Sequence, residues 1–171
     1  ILAFAFHSFL LVYRYFTLNY FPAIDLHQSL FFFAWFLVGV FIIVNGKYKI
    51  PVLGSFVTPL AAIFLICSAT IFTKEPISIP PALRSFWLPI HSILAFAGEA
   101  IFGLAFCVGI MYFIQENHIK RKKLSAFFYR LPSLQTLDDL NYLCLSFGFP
   151  FLTLGIITGS IWAEYAWGSY W

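Results

Sequence analysis

Long apolar runs separated by short, more polar segments are the main feature of this chain. Five runs reach or approach the roughly 20 residues that a helix needs to cross the hydrocarbon core of a bilayer. They cover approximately residues 1–13, 29–44, 51–73, 89–114 and 142–163. The pattern predicts an all-α integral membrane protein, in which a bundle of about five transmembrane helices forms a single transmembrane domain.

The composition fits a chain whose solvent is lipid. Hydrophobic residues make up 61% of the 171 residues and charged residues only 10%, whereas a soluble domain is typically about half apolar and a quarter charged. No continuous basic surface or RNA-type aromatic motif is present, which argues against a nucleic-acid partner. The sequence opens inside an apolar run and stops inside an aromatic one, so we expect it to be part of a longer membrane protein.

Lys and Arg are distributed unevenly between the loops on the two sides of the predicted bundle. The cytoplasmic loops of membrane proteins usually carry the excess of these residues. One side holds three, namely Arg14, Lys74 and Arg84. The other side holds seven: Lys47, Lys49, Lys120, Arg121, Lys122, Lys123 and Arg130. We therefore expect the richer side to be cytoplasmic, with residues 14–28, 74–88 and 164–171 outside.

The last helix has recognisable start and packing signals. Either Ser133 or Thr136 can cap it, which would place Asp138 and Asp139 in its first turn, where the helix dipole favours anions. Further along, residues 155–159 (GIITG) form a GxxxG step, which allows another helix to approach closely. We interpret this step as a packing feature.

Ionisable and sulfur-containing side chains also occur inside the apolar runs. Glu99 is the only carboxylate deep in a predicted span, and ionisable groups there normally face the bundle interior. Steps of four residues from His91 lead through Glu99 to Cys107 along a small and polar stripe that should face other helices. Cys67, Cys107 and Cys144 lie far apart without a CxxC motif, so we predict buried apolar side chains and not a redox or metal site.

The segment 162–171 (WAEYAWGSYW) is dense in aromatic residues. Trp and Tyr favour the headgroup level of a bilayer, so the segment can be an interfacial belt. Flat aromatic walls also suit a flat, apolar ligand such as a porphyrin. The spacing alone leaves both interpretations open.

His91 follows Pro89 at the predicted outer start of the fourth helix, a position that tolerates proline. The positive end of the helix dipole disfavours imidazolium, which keeps this histidine neutral and available as an iron ligand. The alternative is a polar residue at the membrane interface. His7, His27 and His118 have no identifiable partner in the sequence, and His27 is expected in an outer loop.

Several segments together resemble the CcsA (ResC) cytochrome c biogenesis proteins, the haem-handling membrane components of System II. The strongest match covers residues 137–142 (LDDLNY), 148–159 (GFPFLTLGIITG), 162–164 (WAE) and 167–171 (WGSYW). Residues 88–92 (LPIHS) and 29–35 match more weakly. Residues 25–29 (DLHQS) differ from the family pattern Asn-Leu-Tyr-Glu-Ser, so His27, at the Tyr position, receives no family role.

The resemblance implies a tryptophan-rich WWD segment that holds haem on the outer face, with external histidines as axial ligands. Trp167, Gly168 and Trp171 match the first part of this motif, and His91 matches the external histidine that precedes it. The rest of the motif and the later histidines would lie beyond residue 171. The candidate haem-binding residues are therefore His91, Trp162, Trp167, Gly168, Tyr170 and Trp171, with His91 as the axial ligand of the iron.

The resemblance also implies a function. Haem of the b type would be presented as substrate to the CxxCH peptide of an apocytochrome c, and two thioethers would form at its vinyl groups. The implied partners are a CcsB/ResB-type membrane protein, separate or fused, and membrane lipid, in a bacterial inner membrane or a thylakoid membrane. No nucleophile, catalytic triad or hydrolase motif occurs, so the chain's own enzymatic role, as part of a cytochrome c synthase, is left open.

Two other classes of function remain. A b-type cytochrome would need pairs of histidines facing each other within the bilayer, and no second membrane-buried histidine accompanies His7. A transporter or structural membrane subunit without haem chemistry is the main alternative. Transporters favour broken helices that meet at the midplane, and Pro59 and Pro150 are the only hints of such breaks.

Overall fold

The computed structural model describes residues 1–18, 20–71, 85–122 and 128–170, and the structural statements below refer to these ranges. Five α-helices account for most of them, and none of the described residues forms a β-strand. The predicted all-α class is confirmed. The helices are α1 (Leu2–Leu18), α2 (Leu26–Tyr48), α3 (Gly54–Thr70), α4 (Trp87–Lys120) and α5 (Leu134–Trp167).

Four segments are long and apolar enough to cross a membrane. They are α2, α4, α5 and the stretch Pro51–Thr70, in which a short 3₁₀ turn leads into α3. The α1 helix has 17 residues and is slightly shorter than the roughly 20 residues of a typical span. By length and composition, the chain is a multi-pass membrane protein.

The α4 and α5 helices extend beyond the apolar runs that indicated them. Each has 34 residues and is therefore about 51 Å long at 1.5 Å per residue, against a hydrocarbon core of about 30 Å. The additional turns contain more polar residues, as in residues 115–120 of α4 and 135–141 of α5. Hydropathy detects only the part of a helix that can lie in lipid, so it underestimates the length of such helices.

Side-chain contacts show that consecutive helices from α2 onward run in alternating directions. The ring of His27, near the start of α2, contacts Ser68, near the end of α3. The ring of His91, near the start of α4, contacts Gly155 in the second half of α5. These contacts lie at one end of the bundle, here called the His91 end. The opposite end contains the C-termini of α2 and α4 and the start of α5.

Small residues hold α4 and α5 close together. A Cβ atom added to Gly98 would lie 2.6 Å from the backbone nitrogen of Leu152, and one added to Gly155 would lie 2.9 Å from the Cα of Ala95. These distances are too short for any side chain, so the backbones meet directly. The close approach predicted from the GxxxG step is therefore present, and its partner is α4.

The apolar core joins α2, α3, α4 and α5. Leu37, Leu53, Leu104, Met111 and Leu137 are among its fully buried side chains. Cys107 and Cys144 belong to the same core, as predicted.

The burial predicted for Cys67 is wrong, because this side chain is exposed on α3. A thiol behaves as a small apolar group, so lipid accommodates it as well as a protein core does. Hydropathy cannot distinguish these two environments.

The start of α5 differs in detail from the prediction. Ser133 is the N-cap, and its hydroxyl oxygen accepts a hydrogen bond from the amide of Thr136 at 3.2 Å. Because the helix begins at Leu134, Asp138 and Asp139 fall in its second turn, and their predicted place in the first turn is wrong. Asp139 instead accepts a hydrogen bond from the side-chain amide of Gln135 at 2.9 Å, an exposed pair one turn apart.

Candidate functional site

His91 lies in the second turn of α4 and contacts the backbone of α5. Its Nδ1 atom is 2.8 Å from the carbonyl oxygen of Gly155. A carbonyl oxygen can only accept, so Nδ1 carries a proton, and in the neutral form of the ring Nε2 has the lone pair. Within the described part of the chain, Nε2 makes no hydrogen bond. Metal-binding histidines typically have this arrangement, with one nitrogen donating to a carbonyl and the other free to ligate.

Two further residues of α5 surround the His91 ring. A Cβ atom at Gly159 would lie 2.7 Å from both Nδ1 and Cε1, so the ring occupies space that only glycine leaves open. The indole of Trp162 is almost parallel to the imidazole, with an interplanar angle of 5° and 6.4 Å between ring centroids. The GxxxG step therefore does more than pack two helices together, because the group next to Gly159 is the ring of His91. This contact depends on how α4 aligns with α5, which a GxxxG motif does not specify.

A cavity of about 310 Å³ opens beside His91, between the start of α2, α4 and α5. Its lining combines the hydroxyl groups of Ser29 and Ser92 with the carboxyl group of Glu99 and the indole of Trp162. Glu99 is exposed and lies on the same face of α4 as His91. The volume is at the small end of the roughly 300–1,000 Å³ range of ligand pockets.

The remaining aromatic residues follow at the end of α5. The ring of Trp167 meets that of Trp162 edge-on, with 4.8 Å between centroids and an interplanar angle of 68°, and 64% of its surface is exposed. Gly168 ends the helix in the left-handed conformation at φ 70°, and its amide donates to the carbonyl of Glu164 at 2.8 Å. Tyr170 is exposed beyond it. The candidate residue Trp171 lies outside the described residues.

His27 does not lie in a loop, so that prediction is wrong. Asp25 caps α2 by accepting a hydrogen bond from the amide of Gln28 at 2.6 Å, which places His27 in the first turn of the helix. The Nε2 of His27 is 3.1 Å from the guanidinium of Arg14, and its Nδ1 is 2.7 Å from the carbonyl oxygen of Ser68. A guanidinium only donates, so Nε2 accepts and Nδ1 donates. Both ring nitrogens are therefore engaged.

The other two histidines lie apart from this cavity. His7 packs against Phe31 with 4.1 Å between ring centroids, and its Nε2 is buried without a hydrogen-bond partner among the described residues. His118 donates from Nδ1 to the carbonyl of Ile114 in its own helix at 2.7 Å. Across the described ranges, no three His, Cys, Asp or Glu side chains come together as a metal-binding group. Of the four histidines, His91 alone combines a fixed ring with a lone pair beside an open cavity.

The sequence is similar to those of known proteins. Residues 23–171 match the sequence profile of the family described as cytochrome C assembly protein. Proteins named cytochrome c biogenesis protein CcsA are similar: that of Cyanidium caldarium is 34% identical over 95% of this chain, and that of Guillardia theta 30% over 92%. The alignments cover 64% and 58% of those two relatives, so the chain spans about three fifths of their length. The chain belongs to the cytochrome c assembly protein family.

Proposed function

We propose that this chain is a membrane component of c-type cytochrome biogenesis that binds haem on the outer face of the membrane and presents it for covalent attachment to apocytochrome c. The observation that carries the proposal is the hydrogen-bonding state of His91, whose Nδ1 is fixed by Gly155 while Nε2 has no hydrogen bond within the described residues. Family membership and the name of the relatives support the process itself, cytochrome c biogenesis.

The residues of this chain hold and orient the haem, which is the substrate. His91 supplies one axial nitrogen to the iron through Nε2. Trp167, Gly168, Tyr170 and Trp171 form the segment that contacts the macrocycle, and Trp162 lies beside the His91 ring. The cavity of about 310 Å³ accommodates only part of so large a ligand, so most of the contact area is expected from the exposed aromatic side chains.

Positioning is the chemical contribution that these residues can make. The haem brings two vinyl groups, and the CxxCH peptide of the apocytochrome brings two thiols. Each S–H adds across one vinyl double bond, sulfur to the carbon next to the ring and hydrogen to the terminal carbon, so no electrons are gained or lost. Holding the vinyl groups within reach of the thiols turns a bimolecular addition into an effectively unimolecular one.

The distribution of charge supports the proposed sidedness. At the end of the bundle opposite His91, the described residues include Lys47, Lys49, Lys120, Arg121, Lys122 and Arg130. At the His91 end they include Arg14, while Lys74, Arg84 and Lys123 lie outside the described residues. By the positive-inside rule the basic end is cytoplasmic, and the haem site faces the periplasm or the thylakoid lumen. A CcsB/ResB-type partner, separate or fused, completes the proposed assembly in the bacterial inner membrane or the thylakoid membrane.

Cysteine labelling tests this orientation. Single cysteines replace Ser169, at the His91 end, or Lys122, at the opposite end, in a protein whose three native cysteines are changed to alanine. In intact cells an impermeant thiol reagent should modify the cysteine at position 169 and spare the one at position 122. After lysis both should react. Labelling of position 122 alone in intact cells would reverse the orientation and remove the outer haem site.

Haem content and spectrum test the function. In the full-length protein, His91→Ala should lower bound haem roughly tenfold or more, and added imidazole should partly restore it. His27→Ala is the matched control, because both nitrogens of His27 are already engaged and haem content should stay near the parental value. If the parental protein carries no haem, or if His91→Ala changes neither content nor spectrum, a transporter or structural subunit becomes the better interpretation.

A further inference from the structure

We infer that Trp162 does not stack on haem but, together with Gly155 and Gly159, forms a seat that fixes the plane and the protonation of the His91 ring. The three residues are called the His91 seat below. The inference rests on the proposed function, because it takes His91 as a ligand of haem iron. It changes the role expected for Trp162 from haem contact to positioning residue.

The relative orientation of two rings leads to this assignment. An iron–nitrogen bond from Nε2 lies in the plane of the imidazole, and the haem macrocycle is perpendicular to that bond. A macrocycle bound to His91 is therefore perpendicular to the imidazole ring. The indole of Trp162 is only 5° from parallel to this ring. The macrocycle must consequently be almost perpendicular to Trp162 as well, and face-to-face stacking between them is excluded.

Trp167 is oriented differently. Its ring is inclined by 68° to that of Trp162, so its face can come much closer to the plane of a haem bound to His91. It is also 64% exposed, whereas Trp162 is partly buried between His91 and Trp167. Trp162 therefore holds the ring of His91, whereas Trp167 can contact the macrocycle.

Each member of the seat restricts a different freedom of the His91 ring. The carbonyl of Gly155 accepts the Nδ1 proton at 2.8 Å and so leaves the lone pair on Nε2. Gly159 leaves room for the ring edge, because a Cβ atom there would lie 2.7 Å from Nδ1 and Cε1. Trp162 runs parallel to the ring and opposes its rotation out of plane. A ligand held in this way keeps its tautomer and direction before the metal binds.

The test compares Trp162→Leu and Gly159→Ala with Trp167→Leu in the full-length protein. The first two changes should leave His91 present but misdirected, so the absorption spectrum of the ferric haem should shift from low spin towards high spin. Added imidazole should restore the low-spin spectrum, because it replaces a misdirected ligand. Trp167→Leu should instead lower haem content while the spectrum of the remaining haem stays low spin. Imidazole should not restore the haem content of this variant, because the variant lacks contact area with the macrocycle but keeps its iron ligand.

Two controls separate positioning from general damage. Gly109→Ala, in α4, should change neither content nor spectrum, because a Cβ atom there meets nothing within 4 Å. The double variant with Gly159→Ala and His91→Ala should bind as much haem as the single variant His91→Ala, because the His91 seat acts only through His91. Trp162→Phe keeps a flat ring and should retain most of the low-spin haem. This variant replaces Trp162→Leu in the test if Trp162→Leu does not insert into the membrane.

The outcomes distinguish this inference from the proposed function. If Trp162→Leu or Trp162→Phe loses haem without a spectral change and without rescue by imidazole, Trp162 contacts the macrocycle and the inference is wrong. The proposed function would survive that result. If His91→Ala leaves content and spectrum unchanged, the proposed function fails first and the inference fails with it.

Discussion

His91 and His27 lie at the same end of the bundle, but their surroundings leave them with opposite properties. The Nε2 of His27 accepts a hydrogen bond from the guanidinium of Arg14, and its Nδ1 donates one to the carbonyl of Ser68, so both nitrogens are engaged. His91 meets a carbonyl on one side only. Both residues are histidines, so the side chain itself does not explain the difference. The partner opposite each nitrogen determines whether a histidine can bind a metal or instead connects helices.

The helix pairs that carry these histidines are also built differently. The α4 and α5 helices meet backbone to backbone at Gly98 and Gly155. The α1 and α2 helices meet through large side chains, with Phe4 stacked on Trp35 at 5.4 Å between centroids and the indole N–H of Trp35 donating to the hydroxyl of Ser8 at 2.7 Å. Close backbone contact keeps the His91 seat in register.

The largest effect on stability is expected from Gly98→Ala. The added Cβ atom would lie 2.6 Å from the backbone nitrogen of Leu152, and backbone cannot move aside as a flexible side chain can. The expected loss is about 1–3 kcal/mol in the free energy of unfolding, measured by denaturant titration in detergent micelles. Gly46→Ala, where nothing lies within 4 Å, should leave stability unchanged or slightly raised. Equal stabilities for the two variants would show that α4 and α5 do not need close contact.

A smaller loss is expected from His27→Ala. The change removes the acceptor of Arg14 and the donor to Ser68, and should lower the free energy of unfolding by about 1–2 kcal/mol. The haem bound per folded molecule should stay constant. His91→Ala should lose haem, and it should cost less stability than His27→Ala because it removes one hydrogen bond and not two. If His27→Ala loses haem at unchanged stability, the two histidines do not have separate roles.

The smallest effect is expected from Trp35→Phe. This change keeps an aromatic ring against Phe4 but removes the hydrogen bond to Ser8, at an expected cost of about 0.5–1 kcal/mol. Ser8→Ala should cost a similar amount. The double variant should lose less than the sum of the two single losses, because both changes remove the bond between Trp35 and Ser8. Ser8→Ala also removes the hydrogen bond from the Ser8 hydroxyl to the carbonyl of Phe4. Fully additive losses would mean that the hydrogen bond contributes nothing to holding α1 on α2.

Features that depend on neighbouring residues were predictable from the sequence. Apolar runs indicate the helices, and Ser133, one of the two caps predicted for α5, is the one that caps it. The sequence also contains a signal for the position of His27. Asp25 is a typical N-cap residue, and it accepts a hydrogen bond from the amide of Gln28, three positions later. The apolar run alone begins at residue 29, which wrongly puts His27 in the loop before α2.

Features that depend on how helices align against each other were not predictable. The partners of His27 are 13 and 41 residues away, and the partner of His91 is 64 residues away. A GxxxG step indicates that something approaches closely, but not which residue of the other helix lies opposite. Only the register of α4 against α5 identifies Gly155 and Gly159 as neighbours of an imidazole. The roles of His91 and Trp167 in haem binding stay predictions.

The continuity of α5 has a consequence for motion. The helix runs unbroken from Gly155 to Trp167, and Pro150, where a helix bends most readily, precedes both. A swing about Pro150 would therefore carry the His91 seat and the ring of Trp167 together as one rigid body relative to α4. Such displacements of helices occur on the microsecond-to-millisecond timescale, far more slowly than ring rotation. The imidazole and the aromatic surface would then be released or engaged at the same moment.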